Sequence, residues 1–225
     1  MSTEEVVAGP TMSRLDVRFA VHRERLRLAA MLDELAPAEW EHASLCPGWR
    51  VRDVVAHLVL GPESTTGMLV LELARAHGDV HRMNRQAARH KGTERTSTLV
   101  GELRAAADSD RRVPFTSYLE PLIDILVHGQ DIAIPLHRPL VIPVNDAAVA
   151  ASGVWQTRVF NPRRRLRGIR LVADDVAWSR GDGVLVEGPI EPILLALTGR
   201  SAGLRRLSGP GLDLLAERLA RPDAS

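Results

Sequence analysis

The segment from Pro121 to Ala133 constrains the fold most, because it is an apolar run that carries Asp124 and His128. These two residues are four apart, just over one helical turn, so they project from the same face of a helix. Burying a carboxylate and an imidazole among apolar side chains costs free energy unless each is hydrogen-bonded, paired or bound to a metal. The pair therefore supplies two metal ligands or one acid/base pair, although a plain intrahelical hydrogen bond also fits this spacing.

A third polar side chain, His57, lies in the middle of another apolar run, Val51 to Leu60, which we interpret as a buried helix. If this helix packs beside the one carrying Asp124 and His128, two imidazoles and one carboxylate converge. Such a set on neighbouring helices of a bundle binds divalent metals and leaves coordination positions open for water or substrate. A core histidine satisfied by its neighbours is the alternative interpretation of His57.

Two aspartates accompany the candidate ligands. Asp131 follows His128 by three residues, and Asp53 precedes His57 by four, so each can hydrogen-bond to the imidazole and orient it. Either can instead be an ordinary surface or capping residue of its helix.

Cys46 is the sole cysteine, which excludes an internal disulfide and a multi-cysteine zinc site. It precedes the turn signal Pro47-Gly48 and has no base nearby in the sequence. We interpret it as a structural residue of the turn, so no catalytic nucleophile is predicted on the protein.

Composition excludes several classes of function. A net charge of +1 argues against a nucleic-acid partner bound by global electrostatics. No apolar run approaches the roughly 18 to 20 residues of a membrane span, and the charged N-terminus lacks the apolar core of a signal peptide. We therefore expect a cytoplasmic protein without a membrane partner.

Helical periodicity predominates over residues 1–160. The first helix is predicted from Ser13 to before Pro37, with Leu15, Phe19, Leu26, Ala30 and Leu35 as its apolar side. Further helices are predicted at about 64–76 and 93–107, and another is expected to be capped by Asn145. His77, His81 and His90 lie in an Arg-rich polar stretch, which favours a solvated surface over a metal site.

The pattern changes after residue 165. Segments 166–172, 176–180 and 184–187 read as strands, and helices are predicted at 189–197 and 211–219. We therefore predict a helical domain over residues 1–160 and a small α+β domain over residues 165–225.

Three segments together resemble one known family. Cys46 to Leu58 is similar to the motif that opens the second helix in mycothiol-dependent maleylpyruvate isomerase-like proteins, which belong to the DinB-like (YfiT-like) metal-binding four-helix bundles. Asp124 to Asp131 resembles their second motif, a carboxylate followed after three residues by His-Gly-x-Asp. Val186 to Arg200 resembles the small C-terminal domain of many members.

The resemblance implies a mainly α protein, a DinB-like four-helix bundle followed by a small α+β domain. It implies a divalent metal, zinc in the first place, bound by His57, Asp124 and His128. Mycothiol would be the co-substrate of an isomerase or S-transferase acting on a small electrophile, in a monomer or homodimer. An actinobacterial source fits, because Lys91 is the only lysine beside many arginines. The family commonly has Glu where this chain has Asp124, which is shorter by one methylene group.

Arg200 is the candidate contact for an anionic group of the thiol or substrate, because guanidinium binds carboxylates through two parallel hydrogen bonds. It can equally cap the C-terminus of the helix before it. Two other functions use the same fold. One is a metal-binding or regulatory protein without catalysis, and the other is a metal-assisted hydrolase that needs no thiol.

Overall fold

The computed structural model describes residues 9–63, 80–109, 117–157 and 161–221. These form two compact units: one is Arg14–Leu140, and the other combines residues 9–13 with residues 141–221. The sequence placed the boundary later, between residues 160 and 165. The difference arises because the helix Val144–Gln156 packs against Ile190–Leu197, a contact between distant segments that no local pattern reveals.

The first unit is helical. Its elements are α1 (Arg14–Asp33), α2 (Pro37–Trp40), α3 (Val51–Glu63), α4 (Val80–Lys91), α5 (Thr96–Ala107) and α6 (Glu120–Ala133). Helix α1 packs against α5 and α6, and α3 packs against α4, α5 and α6. The long helices α1, α3, α5 and α6 thus form a four-helix bundle, as the family resemblance implied.

Helices α3 and α6 lie side by side. Both helices carry side chains that solvent barely reaches, including Val54 and Val55 of α3 and Leu122 and Leu126 of α6. Truncating a buried leucine to alanine typically destabilises a protein by about 2–5 kcal/mol. This apolar packing fixes the two backbones that carry His57, Asp124 and His128.

The buried side of α1 differs from the prediction. Leu15, Phe19 and Leu26 are 56%, 61% and 40% exposed, and Ala30 is exposed too. The buried side holds mostly apolar residues together with two charged ones: Val17, Ala20, Val21, Glu24, Arg25, Leu28, Ala29, Met31 and Leu32. The prediction was wrong for the four exposed residues, because α1 carries apolar residues around its whole circumference and periodicity cannot choose between its sides. The fifth predicted residue, Leu35, is buried but lies beyond the end of α1.

The second unit combines helices with a small sheet. Its elements are α7 (Val144–Gln156), α8 (Pro162–Arg165), β1 (Gly168–Ala173), β2 (Ser179–Gly181), β3 (Gly183–Gly188), α9 (Ile190–Leu197), a short 3-10 turn (Leu204–Arg206) and α10 (Leu212–Ala220). Helix α7 begins one residue before Asn145, with Pro143 in the cap position, so the predicted Asn145 cap is not formed. The predicted small α+β region is confirmed.

The sheet has the order β2-β1-β3, with β1 antiparallel to β2 and parallel to β3. The chain passes from β2 to β3 around the end of β1, and Gly183 has a φ of +120° there. A Cβ atom at Gly183 would lie 2.2 Å from the carbonyl oxygen of Gly168, so only glycine permits this close approach. The buried side of β1 presents Ile169 and Leu171 to the core of the unit.

Some predictions fall outside the described residues: the helix at about 64–76 and His77 both do. His90 lies at the exposed end of α4, as expected for a solvated surface. None of the described helices combines the length and apolar character needed to cross a membrane.

Candidate metal centre

Three side chains from α3 and α6 converge. His57, Asp124 and His128 each offer one ligand atom, and these atoms all lie within 4.8 Å of one another. The two imidazole centroids are 4.9 Å apart, with the rings nearly perpendicular. All three residues are partly exposed, so a small ligand can reach them. We call these three residues the ligand cluster.

The local sequence explains why the ligand cluster forms. Asp124 and His128 stand one above the other on α6, and every residue between them is buried. His57 follows the fully buried residues Val54, Val55 and Ala56 on α3. The buried apolar residues fix the two helices, and the three ligand atoms lie together between them.

Asp131 and Cys46 lie behind His128. Asp131 is fully buried, and its Oδ2 accepts hydrogen bonds from His128 Nδ1 at 2.8 Å and from Cys46 Sγ at 3.0 Å. This contact keeps a proton on Nδ1 and leaves Nε2 of His128 as the nitrogen available to a metal. Asp131 thus makes the hydrogen bond to His128 that an orienting residue needs, as the spacing of the two residues allowed.

The same contacts perturb His128. Burial lowers the pKa of His128, but the hydrogen bonds and charges of Asp131 and Cys46 outweigh burial and raise it to about 10. Without metal, His128 is therefore an imidazolium at neutral pH. A metal that binds its Nε2 has to displace a proton, so its affinity for the site depends on pH.

Sequence reasoning missed the position of Cys46. Its sulfur lies 3.6 Å from His128 Nδ1, although the two residues are 82 positions apart. The turn is attached to α6 by the Leu45 N–H, which donates to the Asp131 carbonyl oxygen at 3.0 Å. Cys46 remains a turn residue, but it also has an acid and a base beside it. No signal in the linear sequence could have revealed this, because α6 reaches the turn only in the folded bundle.

Trp49 forms a wall of the site. Its ring centroid lies 5.3 Å from that of His57 and 6.4 Å from that of His128, onto which it stacks. The residue is 8% exposed, and its buried Nε1 has no hydrogen-bond acceptor among the described residues. The Cys-Pro-Gly-Trp segment therefore contacts His128 through the sulfur of Cys46, and both imidazoles through the indole of Trp49.

The hydrogen bonds of Asp53 come from Arg50 and not from His57. Its carboxylate accepts hydrogen bonds from the Arg50 backbone N–H at 3.0 Å, from Arg50 Nε at 3.0 Å and from Nη2 at 2.9 Å. Arg50 directly precedes α3, so Asp53 reaches back over the first turn and caps the helix. Within the described residues its hydrogen bonds all go to Arg50, which is the capping alternative left open by the sequence.

Two further charged residues surround Asp124. Glu120 lies one turn before it on α6, and burial together with the charge of Asp124 raises the pKa of Glu120. Arg25 of α1 is 5% exposed; burial lowers the pKa of its guanidinium and the charge of Asp124 raises it in part. The carboxylate of the ligand cluster thus interacts electrostatically with one acidic and one basic residue.

A second group of potential ligands uses the other nitrogen of His128. Cys46, His128 and Asp131 also present ligand atoms within 4.8 Å of one another. In this group the atoms are already hydrogen-bonded together, and Asp131 is wholly enclosed. The ligand cluster is the better metal site, because it is reachable and its two imidazole nitrogens and one carboxylate oxygen are a donor set of catalytic zinc sites.

Arg200 lies in the second unit, after the C-terminus of α9. Its Nη1 donates to the Thr198 carbonyl oxygen at 2.7 Å. The guanidinium thus serves the end of the helix, the capping alternative raised from the sequence. A role for Arg200 in binding thiol or substrate stays a prediction.

The fold and the ligand cluster define the class of the protein: a helical bundle with two histidines and a carboxylate gathered between two of its helices, followed by a small α+β unit. The family model for the mycothiol maleylpyruvate isomerase N-terminal domain matches residues 21–133, just over half of the chain. The chain belongs to this family, which confirms the resemblance read from its motifs.

Solved structures show the same fold. The crystal structure of a mycothiol-dependent maleylpyruvate isomerase is similar with a TM-score of 0.63 and 13% sequence identity, over 88% of this chain and 93% of that one. A histidine-to-alanine mutant of such an isomerase gives a TM-score of 0.62 at 12% identity, with the same coverage. No curated protein matches the chain by sequence.

Proposed function

We propose that this protein is a metal-dependent enzyme that uses a low-molecular-weight thiol, mycothiol in the first place, to isomerise a small electrophile or to transfer the thiol onto it. The observation that carries the proposal is the convergence of His57, Asp124 and His128 within 4.8 Å, in a member of this family. Zinc is the metal that this donor set fits best. The shorter carboxylate of Asp124 does not keep it out of the ligand cluster.

His57, Asp124 and His128 would hold the metal, and Asp131 would keep His128 in the tautomer that presents Nε2. A divalent metal bound there lowers the pKa of a thiol, so that the thiolate is available near neutral pH. Trp49 shields the two imidazoles on one side, which limits the access of water to them.

All the covalent bonds that form or break in the reaction are those of the thiol and the substrate. The thiolate adds to one carbon of an electron-poor double bond, and the carbon–carbon bond becomes single and can rotate. In an isomerase the thiolate then leaves and the double bond re-forms in the other geometry. In an S-transferase the new carbon–sulfur bond persists and the adjacent carbon takes up a proton.

Metal content tests the ligand assignment. We expect about one equivalent of zinc per chain in the purified protein, and strongly reduced content in His57→Ala and His128→Ala, because each loses a ligand. His90→Ala is the matched control, since His90 is an exposed histidine on α4, and it should keep the wild-type content. Equal and negligible metal in all four proteins would refute the assignment.

Thiol dependence tests the reaction. Zinc-loaded protein is mixed with maleylpyruvate with and without mycothiol, and the formation of the trans isomer or of a thiol adduct is followed by absorbance and mass spectrometry. Product that needs both metal and thiol supports the proposal. Turnover without thiol would instead indicate metal-assisted hydrolysis. Tight metal binding without any thiol-dependent product across a panel of electrophiles would indicate a non-catalytic binding protein.

A further inference from the structure

Helix α1 carries a line of apolar side chains on its solvent-exposed side. Leu15, Phe19 and Leu26 are each at least 40% exposed, and Ala30 is exposed as well. Within the described part of the first unit, no other large apolar side chain is exposed. Single exposed apolar residues are normal on a protein surface, whereas several on one side of one helix indicate an interaction site.

The spacing of these residues aligns them along the helix. Consecutive members are four, seven and four positions apart, which keeps all of them within about one sixth of the helix circumference. The line extends over about 22 Å of the helix, at a rise of about 1.5 Å per residue. We call its four residues the α1 seam: Leu15, Phe19, Leu26 and Ala30.

The spacing of the α1 seam reads the same in both directions along the helix. If the α1 helix of a second copy lies antiparallel to it, with a two-fold axis at the middle of the seam, Phe19 faces Leu26 of the other copy. Leu15 then faces Ala30, a large side chain against a small one. Every residue of the α1 seam therefore meets an apolar residue, as the self-complementary interface of a two-fold dimer requires.

The charges beside the α1 seam also match in this arrangement. Asp16 and Arg27 each directly follow a leucine of the seam, so both lie on the same side of it. In the antiparallel pair, Asp16 of one copy is offset by only about 3 Å along the axis from Arg27 of the other. Near the two-fold axis lies Arg23, whose Nε donates to Glu24 Oε1 at 2.9 Å, and this ion pair weakens the repulsion between the two copies of Arg23.

We propose that the α1 seam is a homodimer interface, in which two copies of this chain pair their α1 helices antiparallel about a two-fold axis. A second copy is the occupant because an unrelated partner would not require a pattern that is unchanged on reversal. The pair buries less than the roughly 1,600 Å² of a standard interface, since one helix contributes it from each copy. We therefore expect a reversible dimer with a dissociation constant on the order of 10 µM. This inference is independent of the proposed reaction.

Sedimentation equilibrium of the full chain, from about 1 to about 200 µM, measures the dissociation constant. Phe19→Glu should weaken dimerisation by at least about 100-fold, because the two-fold symmetry places the charge in the apolar interface twice. Val184→Glu is the matched control, since Val184 is an exposed valine of β3 in the second unit, and it should stay within about twofold of wild type. Circular dichroism should show wild-type helix content in Phe19→Glu, because Phe19 is exposed.

A mixing experiment tests the antiparallel register. Leu26→Arg alone should also weaken dimerisation by at least about 100-fold, for the same reason as Phe19→Glu. A mixture of Leu26→Arg and Phe19→Glu should associate at least about tenfold more tightly than either variant alone. In the mixed dimer the introduced guanidinium faces the introduced carboxylate, and the other pair of Phe19 with Leu26 stays intact.

Four results would overturn the inference. These are a wild type that stays monomeric at all concentrations, undiminished dimerisation in both Phe19→Glu and Leu26→Arg, an equal loss in Val184→Glu, and a mixture that associates no better than the separate variants. If one seam variant fails to fold, the dissociation constant of the other decides.

Discussion

Replacing Asp53 separates two roles that the sequence left open, capping α3 or orienting His57. The structure gives its carboxylate three hydrogen bonds, all from Arg50. The bond to the Arg50 backbone N–H is a helix cap, worth about 1 kcal/mol. The ion pair with the Arg50 side chain contributes at most about 1 kcal/mol to the free energy of unfolding, because that side chain is 39% exposed.

Asp53→Ala should therefore lower the free energy of unfolding by about 2 kcal/mol, and Asp53→Asn, which keeps an acceptor oxygen, by about half as much. With a typical denaturant dependence, the urea midpoint should fall by about 1 M for alanine. The assay is equilibrium urea unfolding in the presence of a chelator, so that metal binding does not contribute. The zinc dissociation constant, measured by competition with a chromophoric chelator, should stay within a few-fold of wild type.

Asp124→Ala is the reciprocal control, because it removes a ligand of the cluster and leaves the cap intact. It should lose zinc affinity strongly while the stability of the metal-free protein changes less than in Asp53→Ala. The reasoning is refuted if Asp53→Ala keeps its urea midpoint and binds zinc tenfold or more weakly, since Asp53 would then act on His57.

Three further predictions concern the surroundings of His128. The pKa of His128 is raised from 6.5 to about 10, so its pair with Asp131 stabilises the metal-free protein fully below about pH 6.5, and this stability is lost as the pH rises through 10. Urea unfolding from pH 6 to 10 in the presence of a chelator should show this decline. An equally steep decline in Asp131→Asn would contradict the prediction. Cys46→Ser keeps a hydrogen-bond donor to Asp131 and should bind zinc nearly as tightly as the wild type, whereas Cys46→Ala should bind zinc several-fold more weakly in the same chelator competition. Equal zinc affinities of the two variants would exclude a positioning role for the sulfur. Because Trp49 touches both imidazoles, Cu²⁺ or Co²⁺ should quench tryptophan emission on titration, and undiminished quenching in Trp49→Phe would show that the metal binds elsewhere.

Sequence patterns were enough to predict the helical character of the described residues of the first unit, and to recognise the family. Both depend on local patterns, namely apolar periodicity within a helix and short motifs such as Cys-Pro-Gly-Trp. The sequence also selected His57, Asp124 and His128, because a polar side chain in an apolar helical run needs a partner wherever the helix packs. The metal hypothesis required that α3 and α6 lie side by side, and they do so in the structure.

The surroundings of the ligand cluster depend on contacts between residues that are far apart in the chain. Cys46 and Asp131 are 85 residues apart and in contact, which no spacing rule could indicate. Likewise, α1 could bury either side, and the one it buries carries Arg25 while Phe19 stays exposed. Periodicity describes one helix at a time, whereas the partners of a buried polar group depend on how several helices pack together. For that reason the candidate ligands and the neighbouring Asp131 could be found in the sequence, whereas the contacts of Cys46 and Trp49 with the imidazoles could not.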